Sequence, residues 1–306
     1  MDEQARATRT PLLMWGIVVV IVAVFFGAAV VVIASASADG GGPEMASATP
    51  GAFVDPPRAD PERLFIAGSG SNLPLTRALV DAFTQASQAS GRMIVFESIG
   101  SRGGVRAASE GVVDLGLISR PLKPSERKLG LKVVPYARVA VVVAANPSAP
   151  RDGFTKGGLI DIYQGVQTTW SDGSPIVVLQ REPGDSSHAV FGEVLPGFAE
   201  ANAQAYRTSR WRVVYHDRAM QEALFITDGA LGLFDFGAVQ TLHLPLRVLS
   251  IDDVTPSVQS VEDGSYPYFK DLSFVYTGKF TADSLPQKFL EFVQSPAGQA
   301  LIREGG

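Results

Sequence analysis

Three times along this chain an apolar run ends in glycine and small polar residues, and three times a helical pattern follows. Leu64-Phe-Ile-Ala67 gives way to Gly68-Ser-Gly-Ser-Asn-Leu-Pro74 and then to a helical pattern from Leu75 to Ala89. Met93-Ile-Val-Phe96 gives way to Ile99-Gly-Ser-Arg-Gly-Gly104 and a helix over Val105 to Glu110. Ile176-Val-Val-Leu179 gives way to Arg181, the breaker pair Pro183-Gly184 and Asp185-Ser186-Ser187, which reads as a helix start. Strands that alternate with helices in this way predict an α/β fold. A strand ending at a helix N-terminus also aims free backbone N–H groups and the positive end of the dipole at one place, an arrangement suited to anions. A single such turn is an ordinary helix cap; the repetition gives the pattern weight. Arg181 adds a guanidinium fork that matches an oxyanion.

The remaining pattern continues the alternation. Val112 to Ile118 reads as a strand ending in Ser119-Arg120, and Val133 to Val143 as an extended run long enough to pass between two lobes as a hinge. A short helix is expected at Gly158–Tyr163, a helical stretch broken by Pro196-Gly197 at Phe191–Tyr206, and a short helix at Met220–Phe225. Strands are expected at Gly229–Phe236, Leu244–Ile251 and Leu272–Tyr276. The second of these is the expected return crossing. Pro286–Glu304 reads as a closing helix pair split near Ser295-Pro296.

Composition narrows the chemistry. A net charge of -5 and the lack of a basic run argue against nucleic acid, so an anion has to be attracted by a local site. There is no cysteine, which excludes disulfides, thiol catalysis and a lipid-modified cysteine. The three histidines, at 188, 216 and 243, lack helix-face metal spacing, so neither a metal nor a cofactor is expected. An enzyme reading would draw on Asp185, Ser186, His188, His216 and Asp217. Ser186 and His188 stand two apart, however, and such side chains do not face each other on a helix. No G-x-S-x-G elbow is present, and catalysis is not expected.

The N-terminus carries a different signal. No charged residue occurs from Thr10 to Ala38, and Leu12 to Ala34 is long enough to cross a bilayer. Arg6 and Arg9 precede it and no basic residue follows until Arg58, which places residues 1–11 in the cytoplasm and the bulk of the chain outside. Ala34-Ser35-Ala36 offers a cleaved signal as the competing reading, but the apolar run exceeds a usual signal core, which favours an uncleaved anchor over 12–34. Residues 35–62, rich in Gly, Pro, Ala and Ser, read as a flexible tether to a domain over 63–306.

Taken together, Gly68 to Pro74, Ile99 to Val105 with Val113-Asp-Leu-Gly116, Asp161 to Gly165 with Thr169-Trp170, Gly229 to Gly232, Tyr266-Pro267 and Phe289 to Gln299 resemble the periplasmic phosphate-binding proteins of ABC phosphate importers, the PstS-like family with a type 2 periplasmic-binding fold. The resemblance implies mixed sheets flanked by helices in two lobes joined by two crossings, lobe 1 over 63–143 and 244–306 and lobe 2 over 144–243. It implies inorganic phosphate or a similar oxyanion bound in the interlobe cleft and delivered to ABC permease subunits. The implied site falls on Ser71, Asn72 and Leu73, on Ser101, and on Arg181, Asp185, Ser186 and Ser187. The chain departs from the family where Asn72 stands for a usual Thr, where Ser119 stands for a usual Asp that accepts a proton from hydrogen phosphate, and where Gly184-Asp-Ser-Ser187 stands for Gly-Ser-Gly-Thr. An Asp beside an anion repels it unless the anion offers a proton. Asp185 is therefore expected to replace the missing acceptor, with Arg120 and Arg102 offsetting its charge. The alternative is a membrane-tethered anion sensor or interaction module that keeps the fold without transport. Tyr136, Trp170, Trp211 and Tyr215 would line its partner surface unless they serve the core.

Overall fold

A computed structural model describes residues 61–87, 92–150 and 153–305. They fall within one unit spanning Asp55–Gly306. The expected anchor at 12–34 and nearly all of the tether lie outside the described residues. No helix among the described residues is long and apolar enough to cross a membrane.

The strands are β1 (Arg63–Gly68), β2 (Arg92–Val95), β3 (Leu115–Ile118), β4 (Lys132–Ala145), β5 (Val177–Arg181), β6 (Arg212–Val214), β7 (Ala230–Asp235), β8 (Arg247–Leu249) and β9 (Phe269–Tyr276). The helices are α1 (Leu73–Ser87), α2 (Gly100–Ser109), α3 (Lys156–Gln164), α4 (Ser186–Val194), α5 (Phe198–Arg207), α6 (Asp217–Ile226), α7 (Phe236–Thr241), α8 (Val258–Glu262), α9 (Leu285–Gln294) and α10 (Pro296–Glu304). The mixed α/β character follows from the sequence pattern. β3 and β7 are buried along their whole lengths and apolar except for Asp235 at the end of β7, as strands covered on both faces must be.

The strands form one hydrogen-bonded array in the order β2-β1-β3-β9-β4-β7-β5-β6, with β8 also on β4. β4 is the long strand anticipated near Val133–Val143. From Lys132 to Ala140 it pairs antiparallel with β9; from Val141 to Ala145 it pairs with β7, and Val143 to Ala145 also pair with β8. It therefore runs from one half of the sheet to the other, with a register irregularity between Pro135 and Ala137. Each half has its own core. Leu64, Ile66, Leu79, Leu117, Phe274 and Phe289 fill one, and Val142, Leu179, Phe191, Phe198, Leu231 and Tyr268 fill the other.

The return connection differs from the expectation. Residues 244–251 do not lead back to the first half: β8 pairs with the far end of β4, and Leu249, Ile251, Val261, Tyr266 and Tyr268 pack into the second core. The chain returns through β9, whose eight residues pair with β4 on one side while Ser273 to Val275 pair with β3 on the other. Side-chain periodicity marks 247–249 as a strand but does not select its partner.

Candidate functional site

β1 and β3 run parallel in the first half of the sheet, and β5 lies parallel to β6 and β7 in the second. The C-terminal ends of such strands, where helix N-termini also gather, form the usual crevice of an open α/β sheet. Close packing fixes the geometry on the first side. Gly68 has a φ of +152°, and a Cβ there would lie 2.2 Å from the Leu117 carbonyl oxygen. A Cβ on Gly104 of α2 would lie 2.6 Å from the same oxygen and 2.9 Å from the Gly68 Cα. The two glycines let α2 rest directly on β1 and β3, which brings Gly100, Ser101 and Arg102 beside the strand ends. The cap position of α2 is Ile99, which offers no side-chain acceptor to the first turn.

A chain of hydroxyls links these segments. Ser69 Oγ donates to Ser119 Oγ at 2.9 Å, Ser101 Oγ lies 3.5 Å from Ser119 Oγ, and the Ser119 N–H donates to Ser101 Oγ at 3.2 Å. Ser119 Oγ then meets Ser186 Oγ at 3.0 Å, a contact between the first half of the sheet and the head of α4. Behind them lies Lys270 of β9. Its Nζ donates to Ser71 Oγ at 2.8 Å, Ser187 Oγ at 3.0 Å and Ser186 Oγ at 3.2 Å, and it lies 2.6 Å from Asp235 Oδ1. Lys270 and Asp235 are both almost wholly buried. Burial pushes the Asp235 carboxyl above its ordinary value, and the Lys270 charge opposes that shift.

Ser71, Ser101, Arg102, Ser119, Arg120, Arg181, Asp185 and Ser186 line one cleft of about 360 Å³, together with Lys123, Glu182, His216 and Asp217. Three of the expected residues face elsewhere. Asn72 is fully buried; its Nδ2 donates to the Ile118 carbonyl and to Tyr136 Oη, so it ties the first turn to β3 and β4. Leu73 packs its side chain in the first core, and its N–H goes to the Gly70 carbonyl. Ser187 lies behind the cleft wall, on Lys270.

The charged residues also depart from the expected roles. Arg181 is buried and spends its guanidinium on protein carboxylates. Nε and Nη2 donate to Glu182 at 2.8 and 3.0 Å, Nη1 donates to Asp217 Oδ1 at 2.9 Å, and Asp185 Oδ2 lies 3.6 Å away. Burial works against its charge, but Asp217, Glu182 and Asp185 together hold its pKa above the ordinary value. Arg120 places its fork on Glu126 at 2.7 and 2.8 Å. Arg102 and Lys123 are exposed and make no ion pair among the described residues.

Asp185 caps α4. Its Oδ1 accepts from the N–H groups of Ser187 and His188 and meets His188 Nδ1 at 3.0 Å. Burial raises its pKa, but the His188 bond and the charges of Arg181 and Lys270 outweigh this and hold the carboxyl below its ordinary value. A carboxylate held this way is poorly equipped to accept a proton from a bound anion, so Asp185 does not suit the acceptor role expected of it. His188 is buried, bonded between Asp185 and Tyr163 Oη, and directed away from a nucleophile role for Ser186. Of the aromatics considered for a partner surface, Tyr136 and Trp170 are core residues, whereas Tyr215 is exposed.

Sequence reasoning missed Lys270, Asp235 and Ser69. The strand expected at Leu272–Tyr276 begins earlier, at Phe269. In its two-residue period Lys270 is in phase with Leu272 and Phe274, on the buried side. A lysine in phase with a buried stripe was the available signal.

A family model described as the PBP superfamily domain matches residues 51–297. The phosphate-binding protein PstS of Borreliella burgdorferi is 22% identical over 219 residues, covering 70% of this chain and 78% of that protein. Protein SphX of Synechococcus elongatus is 23% identical over 272 residues, covering 81% of this chain and 78% of that one. Among solved structures, a phosphate ABC transporter substrate-binding protein from Clostridium perfringens, described as putative and holding phosphate, superposes with a TM-score of 0.67 at 25% identity, covering 79% of this chain and 97% of that one.

Proposed function

The chain belongs to the PBP superfamily, a family of substrate-binding proteins and not of enzymes, and from that premise we propose that its domain captures inorganic phosphate outside the cytoplasm and hands it to an ABC permease. The observation that carries this reading is the serine cluster. Ser71, Ser101, Ser119 and Ser186, from four separate segments, line one cleft at the strand ends. Hydroxyls and the uncapped first turn of α2 supply the small donors that a tetrahedral oxyanion needs. Phosphate binding in the Clostridium perfringens protein supports the same ligand class. Arg102 and Lys123, exposed at the cleft, attract the anion. Arg181 and Arg120 join them only after their carboxylate partners rearrange.

The proposal extends to both ends of the transport step. Residues 12–34 hold the protein at the membrane, and the 35–62 tether lets the domain reach the permease; the apolar length and the arginines before it support this. Residues 63–306 work as two lobes that close on the ligand, a reading supported by the two separate cores.

Calorimetric titration of the intact chain with phosphate and then sulfate tests the reading. Heat with phosphate and little with sulfate is the expected result. A folded protein that gives no heat with either anion overturns phosphate capture and leaves a different oxyanion or a ligand-free interaction module.

A further inference from the structure

Lys270 is bonded in a way that determines what its neighbours can do. An ammonium group has no lone pair and only donates. Every hydroxyl that bonds to Nζ must therefore accept, and its own proton must point elsewhere. Nζ has three protons and one goes to Asp235, so Ser71, Ser186 and Ser187 share the other two as acceptors, and Ser71 turns its own proton to the Asp235 carboxylate. For Ser186 the places left for the proton are Ser119 Oγ, 3.0 Å away, and the open cleft that Ser186 lines. The polarity then runs outward, from ammonium to hydroxyl to cleft, and each bond strengthens the next.

The charge is placed to match. Arg181 carries three carboxylates and Arg120 carries Glu126, whereas Lys270 directly faces one carboxylate, Asp235. The other charge that acts on both Lys270 and the cleft wall is Asp185, already engaged by Arg181 and the cap of α4. Lys270 also touches both sides of the cleft, Ser71 before α1 and Ser186 and Ser187 at the head of α4.

We propose that Lys270 is the positioning cation of the oxyanion site: from beneath the serines it holds Ser186 as a hydrogen-bond donor toward the cleft and supplies the positive charge that favours a doubly charged anion. The inference rests on the proposed phosphate reading and names what determines affinity and charge preference within it.

The test uses the neutral-pair variant, Lys270→Met with Asp235→Asn, which removes both charges and leaves neither ion buried alone. Thermal melting first establishes that it folds. Phosphate is then titrated calorimetrically into the intact chain and the variant, below and above the second ionisation of phosphate. The expected result is a loss of affinity on the order of tenfold to hundredfold, the range for a charge-assisted bond. The original chain is also expected to prefer the doubly charged form, with that preference gone in the variant. A purely structural role moves the melting temperature and leaves the charge preference in place, which overturns the proposal. Tighter binding by the variant overturns it too, because Lys270 would then be a plug. No phosphate binding by the folded original chain removes the phosphate reading itself and this inference with it. Should the double variant not fold, Ser186→Ala provides the second reading: unchanged phosphate affinity there overturns the donor role.

Discussion

Lys270 Nζ and Asp235 Oδ1 lie 2.6 Å apart, with about 2% and 3% of their side chains exposed. The lysine comes from β9 and the aspartate from the end of β7, so the pair joins the strand that returns to the first half of the sheet to the core strand of the second. Removing one member of such a pair leaves the other charge buried alone. Lys270→Met by itself is expected to cost about 3–5 kcal/mol of folding stability. The neutral pair with Asp235→Asn should recover most of that loss. Urea denaturation of the three proteins measures both; equal stability of single and double variants contradicts the pairing.

Asp185 governs the response to acid. Its folded-state carboxyl lies below the ordinary value of 3.8, so its stabilisation is present above that pH and is lost as pH falls through the folded value. Stability should therefore drop below about pH 4. Asp185→Asn keeps an acceptable helix cap but loses charge-assisted bonds to the backbone and His188. It should cost about 1.5–3 kcal/mol near neutrality and flatten the acid limb. Denaturation midpoints taken across the acid range decide this; an unaltered slope in the variant rejects the assignment.

Asp217 competes with any anion for Arg181. It takes Nη1 at 2.9 Å and itself lines the cleft. Asp217→Asn removes a negative charge and releases one face of the guanidinium, so phosphate affinity should rise by about tenfold, equivalent to about 1.4 kcal/mol. Titration calorimetry reads this directly. A fall in affinity would mean that Asp217 contacts the ligand.

Gly104 tests the packing under the site. A methyl group there meets backbone atoms of Leu117, Gly68 and Ala67, none of which can swing aside. Gly104→Ala should cost about 1–3 kcal/mol and, by lifting α2 from β1 and β3, weaken anion binding through Ser101. Thermal melting and titration on the same sample check both effects; a fully stable variant shows that α2 is not seated as described.

By itself the sequence determined the element pattern. The apolar periods, the Gly68 to Pro74, Ile99 to Gly104 and Pro183 to Ser187 turns, and the long β4 run were legible because they are local, each set by residues a few positions apart. Ser71, Ser101 and Ser186 lie on those turns and Ser119 ends the run from Val112 to Ile118; the family resemblance singled them out. Only the tertiary structure decided what surrounds them. Arg181 looked like a free fork until Asp217, 36 residues away, was placed on it. Asn72 looked like a ligand until Tyr136 and Ile118 took its amide group. Lys270 lies 199 residues beyond Ser71 and was not anticipated. A hydrogen-bond partner or counter-ion is chosen by distance in space, and strand pairing brings together residues that no local pattern relates.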